Sequence, residues 1–168
     1  YKADLSADEG AFRRDSNGAV KPQLAKIAPG EEDPLWERTM LASDKLRGVR
    51  CIVYLDEHLD ILRSSSRGGK NYDVAAQHII RDPLVYSIFK EFPEMANAGL
   101  DGELYIHGKS EGYISGLSRK KQRVPEHAEL ALWVYDIVAP DKTFEQRLKL
   151  LKAIEKYIRE KVATELWG

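Results

Sequence analysis

Lys45 stands in LASDKLRGVRC, residues 41–51, with Gly48 and Arg50 close behind it. A lysine amine is a nucleophile only when neutral. Free lysine, with a pKa near about 10.4, is protonated at neutral pH, so such chemistry needs neighbouring cations or a metal ion. A lone lysine is ordinarily a solvated surface charge, so other segments must supply the rest of a site. SSSRGGKNY, residues 64–72, places Arg67 and Lys70 around Gly68 and Gly69, whose amides can approach an anion closely; alone, it equally describes a flexible basic turn. LDGELY, residues 100–105, puts Asp101 and Glu103 on one face at the start of a strand, with Gly102 between them. Such carboxylates hold Mg²⁺ or a ribose hydroxyl, or form a polar turn. LWVYDI, residues 132–137, carries Tyr135 beside Asp136 in an otherwise apolar strand, where a buried core tyrosine is the default. SRKKQR, residues 118–123, is the densest positive patch. Its Arg119, Lys120, Lys121 and Arg123 suit the phosphates of a duplex backbone, or a solvated loop just after the strand that carries Glu103. His58, His78, His107 and His127 lack metal-ligand spacing and are assigned no chemistry.

These residues need a frame. VRCIVYLDEHLDILRSS alternates strand-forming residues around Asp56, Glu57 and His58, which predicts a β-hairpin with Lys45 just before its first strand. YDVAAQHII and PLVYSIFKEF have helical spacing and are split by Pro83. AGLDGELYIHG and LALWVYDIVAP predict two further strands, and TFEQRLKLLKAIEKYIREKVA an amphipathic helix capped by Thr143 or Asp141. Residues 1–30 are expected to form an irregular N-terminal arm, with APGEEDP as a loop, and residues 31–168 a domain. Strands with irregularly interspersed helices favour an α+β fold over a doubly wound sheet.

With 168 residues, 43% hydrophobic and 32% charged, the chain can bury one core. A net charge of −1 supplies no global basic field, so contact with nucleic acid must come from local clusters. The single cysteine, Cys51, excludes an internal disulfide and fits a reducing compartment; together with the lack of a membrane-spanning apolar run, this leads to the expectation of a cytoplasmic protein.

In this order the segments resemble the covalent nucleotidyltransferases, most closely the ATP-dependent DNA ligases of bacteriophages and bacteria, over Lys21 to about Thr164. The family's Lys-x-Asp-Gly pattern is matched by Lys45, Gly48 and Arg50, and its Ser-Arg-x-Gly element by Ser66, Arg67 and Gly69. Its Asp-Gly-Glu strand is matched by Asp101, Gly102 and Glu103, its aromatic-Asp element by Tyr135 and Asp136, and its following helix by Phe144, Arg147 and Leu148. The resemblance implies an adenylation domain of the ATP-grasp-like ligase type, a monomer using ATP and Mg²⁺ on nicked double-stranded DNA. It implies Lys45 as the nucleophile that takes AMP from ATP. Ser43, Arg50, Arg67, Glu103 and Tyr135 would form the nucleotide site, with Arg67 on phosphate or ribose, Glu103 on ribose or metal and Tyr135 stacked on adenine.

The chain departs from the pattern in three places. Arg47 stands where the family has aspartate, and Ser43 where it often has Glu or Gln near the adenine amine. The family's glutamate-glycine strand, lysine pair and OB-fold would lie beyond Gly168, so the expectation is an incomplete adenylation domain that seals nicks poorly by itself. RNA ligase and mRNA-capping guanylyltransferase share the lysine chemistry. A catalytically inactive fold acting as a DNA-binding module is the reading from another class.

Overall fold

The structure, a computed structural model, describes residues 45–167. The expected N-terminal arm, the APGEEDP loop and Ser43 lie outside the described residues. Strands β1 (Val49–Asp56), β2 (Ile61–Ser66), β3 (Gly99–Tyr105) and β4 (Ala131–Val138) form a four-stranded sheet of order β2-β1-β3-β4, with every neighbouring pair antiparallel. The β1–β2 hairpin turns where Asp56 Oδ1 accepts the amides of His58 and Leu59, at 3.1 and 3.2 Å, and Asp60 adopts a left-handed φ of 51°.

Helices α1 (Gln77–Ile80), α2 (Pro83–Glu91), α3 (Glu111–Ser118) and α4 (Phe144–Trp167) complete a mixed, α+β arrangement. Pro83 separates α1 from α2 as expected: Asp82 caps the second helix by accepting the Leu84 amide at 2.8 Å. Residues Asp73–Ala76, expected to be helical, instead form a turn, because Asp73 is engaged by Arg63, Ser64 and Asn71. Thr143, rather than Asp141, caps α4: its hydroxyl accepts the Gln146 amide at 3.3 Å while Gln146 Oε1 accepts the Thr143 amide at 2.8 Å.

The alternation of the strands sorts the two faces of the sheet. Cys51, Val53, Leu100 and Leu104 are buried in one core with Ile88, Phe89, Ile114, Leu117, Leu150 and Ile154 from the helices. Arg50, Asp101, Glu103 and Trp133 fall on the opposite face. On β4 the register jumps from Gly102↔Val134 to Asp101↔Asp136, which leaves Tyr135 as the extra residue of a bulge. The bulge resets the alternation, so Leu132 and Val134 before it and Ile137 after it all pack against the core.

Arg147 joins the helix layer to this strand. It is 5% exposed, reaches Asp136 through Nε at 2.9 Å and Nη2 at 3.1 Å, and donates from Nη1 to the Lys142 carbonyl at 3.0 Å. The Tyr135-Asp136 and Phe144-Arg147 sequence elements therefore meet as a strand-to-helix clamp. No described helix is long and apolar enough to cross a membrane.

Candidate functional site

The face of the sheet opposite the helices gathers residues from three separated segments. Arg50 and Glu103 are direct cross-strand partners. The Arg50 guanidinium grips Asp101 with both arms, Nε to Oδ1 at 2.8 Å and Nη2 to Oδ2. The same guanidinium lies 5.7 Å from the centre of the Tyr135 ring, and Tyr135 and Asp101 are close enough to shift each other's ionisation. Register is what brings these groups together: β3 lies between β1 and β4, so its Asp101 can meet side chains from both.

Two close approaches hold the face in shape. The Gly48 amide donates to Glu103 Oε1 at 3.1 Å. A Cβ at Gly48 would sit 2.1 Å from the Leu104 carbonyl oxygen, and one at Gly102 would sit 2.5 Å from that of Trp133. Neither strand neighbour could then keep its place. The glycines of the Lys-Leu-Arg-Gly and Asp-Gly-Glu stretches are thus packing requirements of the sheet.

Burial dominates the electrostatics. Asp101 is 2% exposed; desolvation pushes its carboxyl above the ordinary value, against the pull of Arg50. Desolvation likewise raises Glu103, opposed by the Gly48 amide and Arg50 and reinforced by Glu111 and Asp101. Burial alone would lower the Arg50 pKa, but the Asp101 hydrogen bond and charge outweigh it and the net shift is upward. The Tyr135 hydroxyl pKa is pushed up by desolvation first and by the Asp101 charge next.

The sequence-derived candidates divide as follows. Arg50, Glu103 and Tyr135 are brought together on one face. Tyr135 is 43% exposed rather than a buried core tyrosine. Lys45 is exposed and lies at the start of the segment that Gly48 ties to Glu103. Arg67 is exposed at the tip of the turn after β2. That turn is largely closed on itself: Gly69 donates to the Ser66 carbonyl at 2.9 Å, which takes up one of the two glycine amides expected to face an anion, and Lys70 donates to Ser66 Oγ at 2.9 Å.

Arg119, Lys120, Lys121 and Arg123 are all exposed. Their segment does not directly follow the strand of Glu103, because α3 intervenes. The N-terminal Glu111 of α3 influences Glu103, whereas Arg119, just past its other end, influences Tyr72 behind the Ser66 turn. The histidines without metal-ligand spacing include a core group: His127 is 0% exposed, accepts the Val124 amide through Nδ1 at 3.2 Å and donates from Nε2 to the Leu117 carbonyl at 3.0 Å.

Trp133 is the residue missed. It is 54% exposed, pairs directly with Glu103, and meets Tyr105 edge-on at 6.2 Å. Its signal was the alternation in LWVY, which turns Leu132 and Val134 inward and leaves the two large aromatics outside.

Asp101 is committed to Arg50, so the two carboxylates of β3 do not act as an equal metal-binding pair. Among the described residues no three His, Cys, Asp or Glu side chains gather as a metal site. Glu103 alone fits the pattern of Mg²⁺ sites that take one or two protein carboxylates and complete the octahedron with water and substrate phosphates. No family model matches the chain, and no curated protein matches it.

Proposed function

We propose that the chain acts as the adenylation domain of an ATP-dependent DNA ligase. The observation that carries the reading is the Gly48–Glu103 hydrogen bond within the Arg50–Glu103 register: it joins the Lys45 segment, the Asp-Gly-Glu strand and, through Asp101, Tyr135 on one face. In this reading ATP lies across that face, its base against Tyr135 and its ribose toward Glu103. Arg67 meets phosphate or ribose oxygens, and Ser43 is a further nucleotide contact.

The neutral Lys45 amine attacks the α-phosphorus, the bond to the β-phosphate oxygen breaks, and pyrophosphate leaves with its electron pair. The amine proton passes to solvent, and AMP remains on Nζ as a phosphoramidate. A 5′-phosphate oxygen at a nick then takes AMP from Lys45, and the adjacent 3′-hydroxyl displaces AMP to seal the strand. A Mg²⁺ ion, when bound, neutralises phosphate charge; Glu103 is the residue to hold it. The protein's own contribution is positioning and charge, which is most of what phosphoryl-type transfer requires. Arg119, Lys120, Lys121 and Arg123 would hold duplex phosphates, and the working unit is a monomer in the cytoplasm.

The test is incubation with α-labelled ATP and recovery of an acid-labile, protein-linked label that Lys45→Ala abolishes. Label retained in Lys45→Ala would show a different nucleophile, and absence of label in the parent protein would overturn the reading. Labelling from GTP instead of ATP would point to capping chemistry. Transfer to nicked RNA and not nicked DNA would make it an RNA ligase.

A further inference from the structure

The face of the sheet opposite the helices presents its side chains in a definite order. Arg50, Glu103 and Trp133 make one cross-strand row over β1, β3 and β4. Tyr135 lies to one side of that row, at the bulge beside Asp101. On the other side Val49 pairs with Leu104, so residues 45–48 enter β1 from the Tyr105 end. Along the strands the order is therefore Tyr135, then the Glu103–Trp133 pair, then the Lys45 segment. A nucleotide has the same linear order of base, sugar and phosphate. With the base on Tyr135 and the α-phosphate at Lys45, the sugar falls on the middle row.

Both members of that pair have surface to spare. Glu103 Oε1 accepts the Gly48 amide, while Oε2 has no hydrogen-bond partner among the described residues, and the side chain is only half-buried. Trp133 is 54% exposed, although a large aromatic gains most from being covered. Its ring is braced rather than loose: Tyr105 meets it edge-on at 6.2 Å, and the Tyr105 hydroxyl lies 3.3 Å from His107 Nδ1. Tyr105 pairs with Ala131, so the brace comes from the end away from Tyr135. An indole held in this way beside a carboxylate oxygen suits a sugar, whose C–H face is apolar and whose hydroxyls donate. We infer that Trp133 is a nucleotide-binding residue, its indole packed on the ribose whose hydroxyls Glu103 accepts. The inference rests on the proposed nucleotide site but not on transfer of AMP to Lys45.

ATP and ribose 5-triphosphate test it, because they share sugar and phosphates and differ in the base. In calorimetric titrations of the whole chain, Trp133→Ala should bind both about tenfold more weakly, the effect of uncovering an apolar contact of this kind. Trp133→Phe, which keeps a smaller ring, should recover part of the loss for both. Inorganic tripolyphosphate, which has no sugar, should bind the parent and Trp133→Ala alike. In the parent, ribose 5-triphosphate should also change the emission of Trp133, read as the difference from Trp133→Phe. Undiminished affinity of Trp133→Ala for ribose 5-triphosphate would overturn the inference even if ATP were weakened, because the indole would then lie on the base. Lack of saturable binding of both ligands to the parent would overturn it together with the nucleotide site. Binding of both that depends on Trp133, without covalent label, would uphold it and overturn only the ligase reading.

Discussion

The backbone amide of Gly48 donates to Glu103 Oε1 across 3.1 Å, while its Cα lies so close to β3 that a Cβ would come within 2.1 Å of the Leu104 carbonyl oxygen. Gly48→Ala therefore cannot keep both the hydrogen bond and the strand pairing. The obstructing atom is backbone, so the β1 entry must move and carry Lys45 with it. The expected loss is about 1–3 kcal/mol of stability, read from urea midpoints, with a larger loss of ATP-dependent labelling. Full labelling in Gly48→Ala would show that the tie between this amide and Glu103 does not position Lys45.

Glu103 supplies a pH signature. Burial holds its carboxyl above the ordinary 4.5, so between that value and its folded-state pKa the folded protein binds more protons than the unfolded chain. The contribution of this group to stability is complete below about pH 4.5 and is lost as pH rises through the raised value. Glu103→Gln keeps an oxygen for the Gly48 amide and removes the titration. The difference in unfolding free energy between parent and variant should fall with rising pH from about 4.5 upward. A difference that grows with pH would show that the hydrogen bond and Arg50 outweigh desolvation.

The strands and α4 were legible because their signals are local: alternation in VRCIVYLD and LWVYDI, and a Thr143–Gln146 box ahead of an apolar periodicity. Helix α3 was not, since GYISG contains two glycines and has little propensity of its own. It forms because Ser110 accepts the Tyr113 amide and because Ile114 and Leu117 are buried in the core. The shared face of Asp101 and Glu103 followed from their spacing. That Asp101 is taken by Arg50 did not, because the partnership depends on which residues of β1 and β3 come into register. The bulge at Tyr135, which returns Ile137 to the core, is likewise a property of the β3–β4 pairing that the sequence alternation alone does not show.

Asp101 and Arg50 should behave as one unit in mutational cycles. Asp101→Asn leaves a largely desolvated guanidinium without its counter-charge and should cost about 3 kcal/mol. Arg50→Met strands the carboxylate, which is 2% exposed, and should cost at least as much. The double variant should be less destabilised than the sum of the singles, because each single leaves an unpaired buried charge. Additive losses, measured by denaturant titration, would mean that the two side chains are stabilised separately.

The exposed Arg119, Lys120, Lys121 and Arg123 give the proposed duplex interface a measurable slope. Replacing all four with Ser should weaken binding to nicked duplex and flatten the dependence of log affinity on log salt by about 0.9 for each phosphate that is no longer neutralised. Labelling of Lys45 by ATP should change little, because α3 separates this loop from the strand of Glu103. An unchanged salt slope would return the cluster to a solvated loop.

Arg47 offers the sharpest test of the proposal that this face handles polyphosphate. It is exposed and immediately precedes Gly48, so its backbone position is fixed by the tie to Glu103 while its side chain is directed outward. On the proposed reading a cation placed there attracts a triphosphate, and replacing it with a carboxylate would repel the same ligand. Arg47→Asp, which restores the residue of the resembling family, should therefore raise the ATP concentration needed for half-maximal labelling and lower its rate. Arg47→Ala should fall between the two, since it removes the attraction without adding repulsion. Labelling by ATP across a concentration series distinguishes the cases: a faster rate in Arg47→Asp than in the parent would mean that the arginine misplaces the nucleotide rather than holding it.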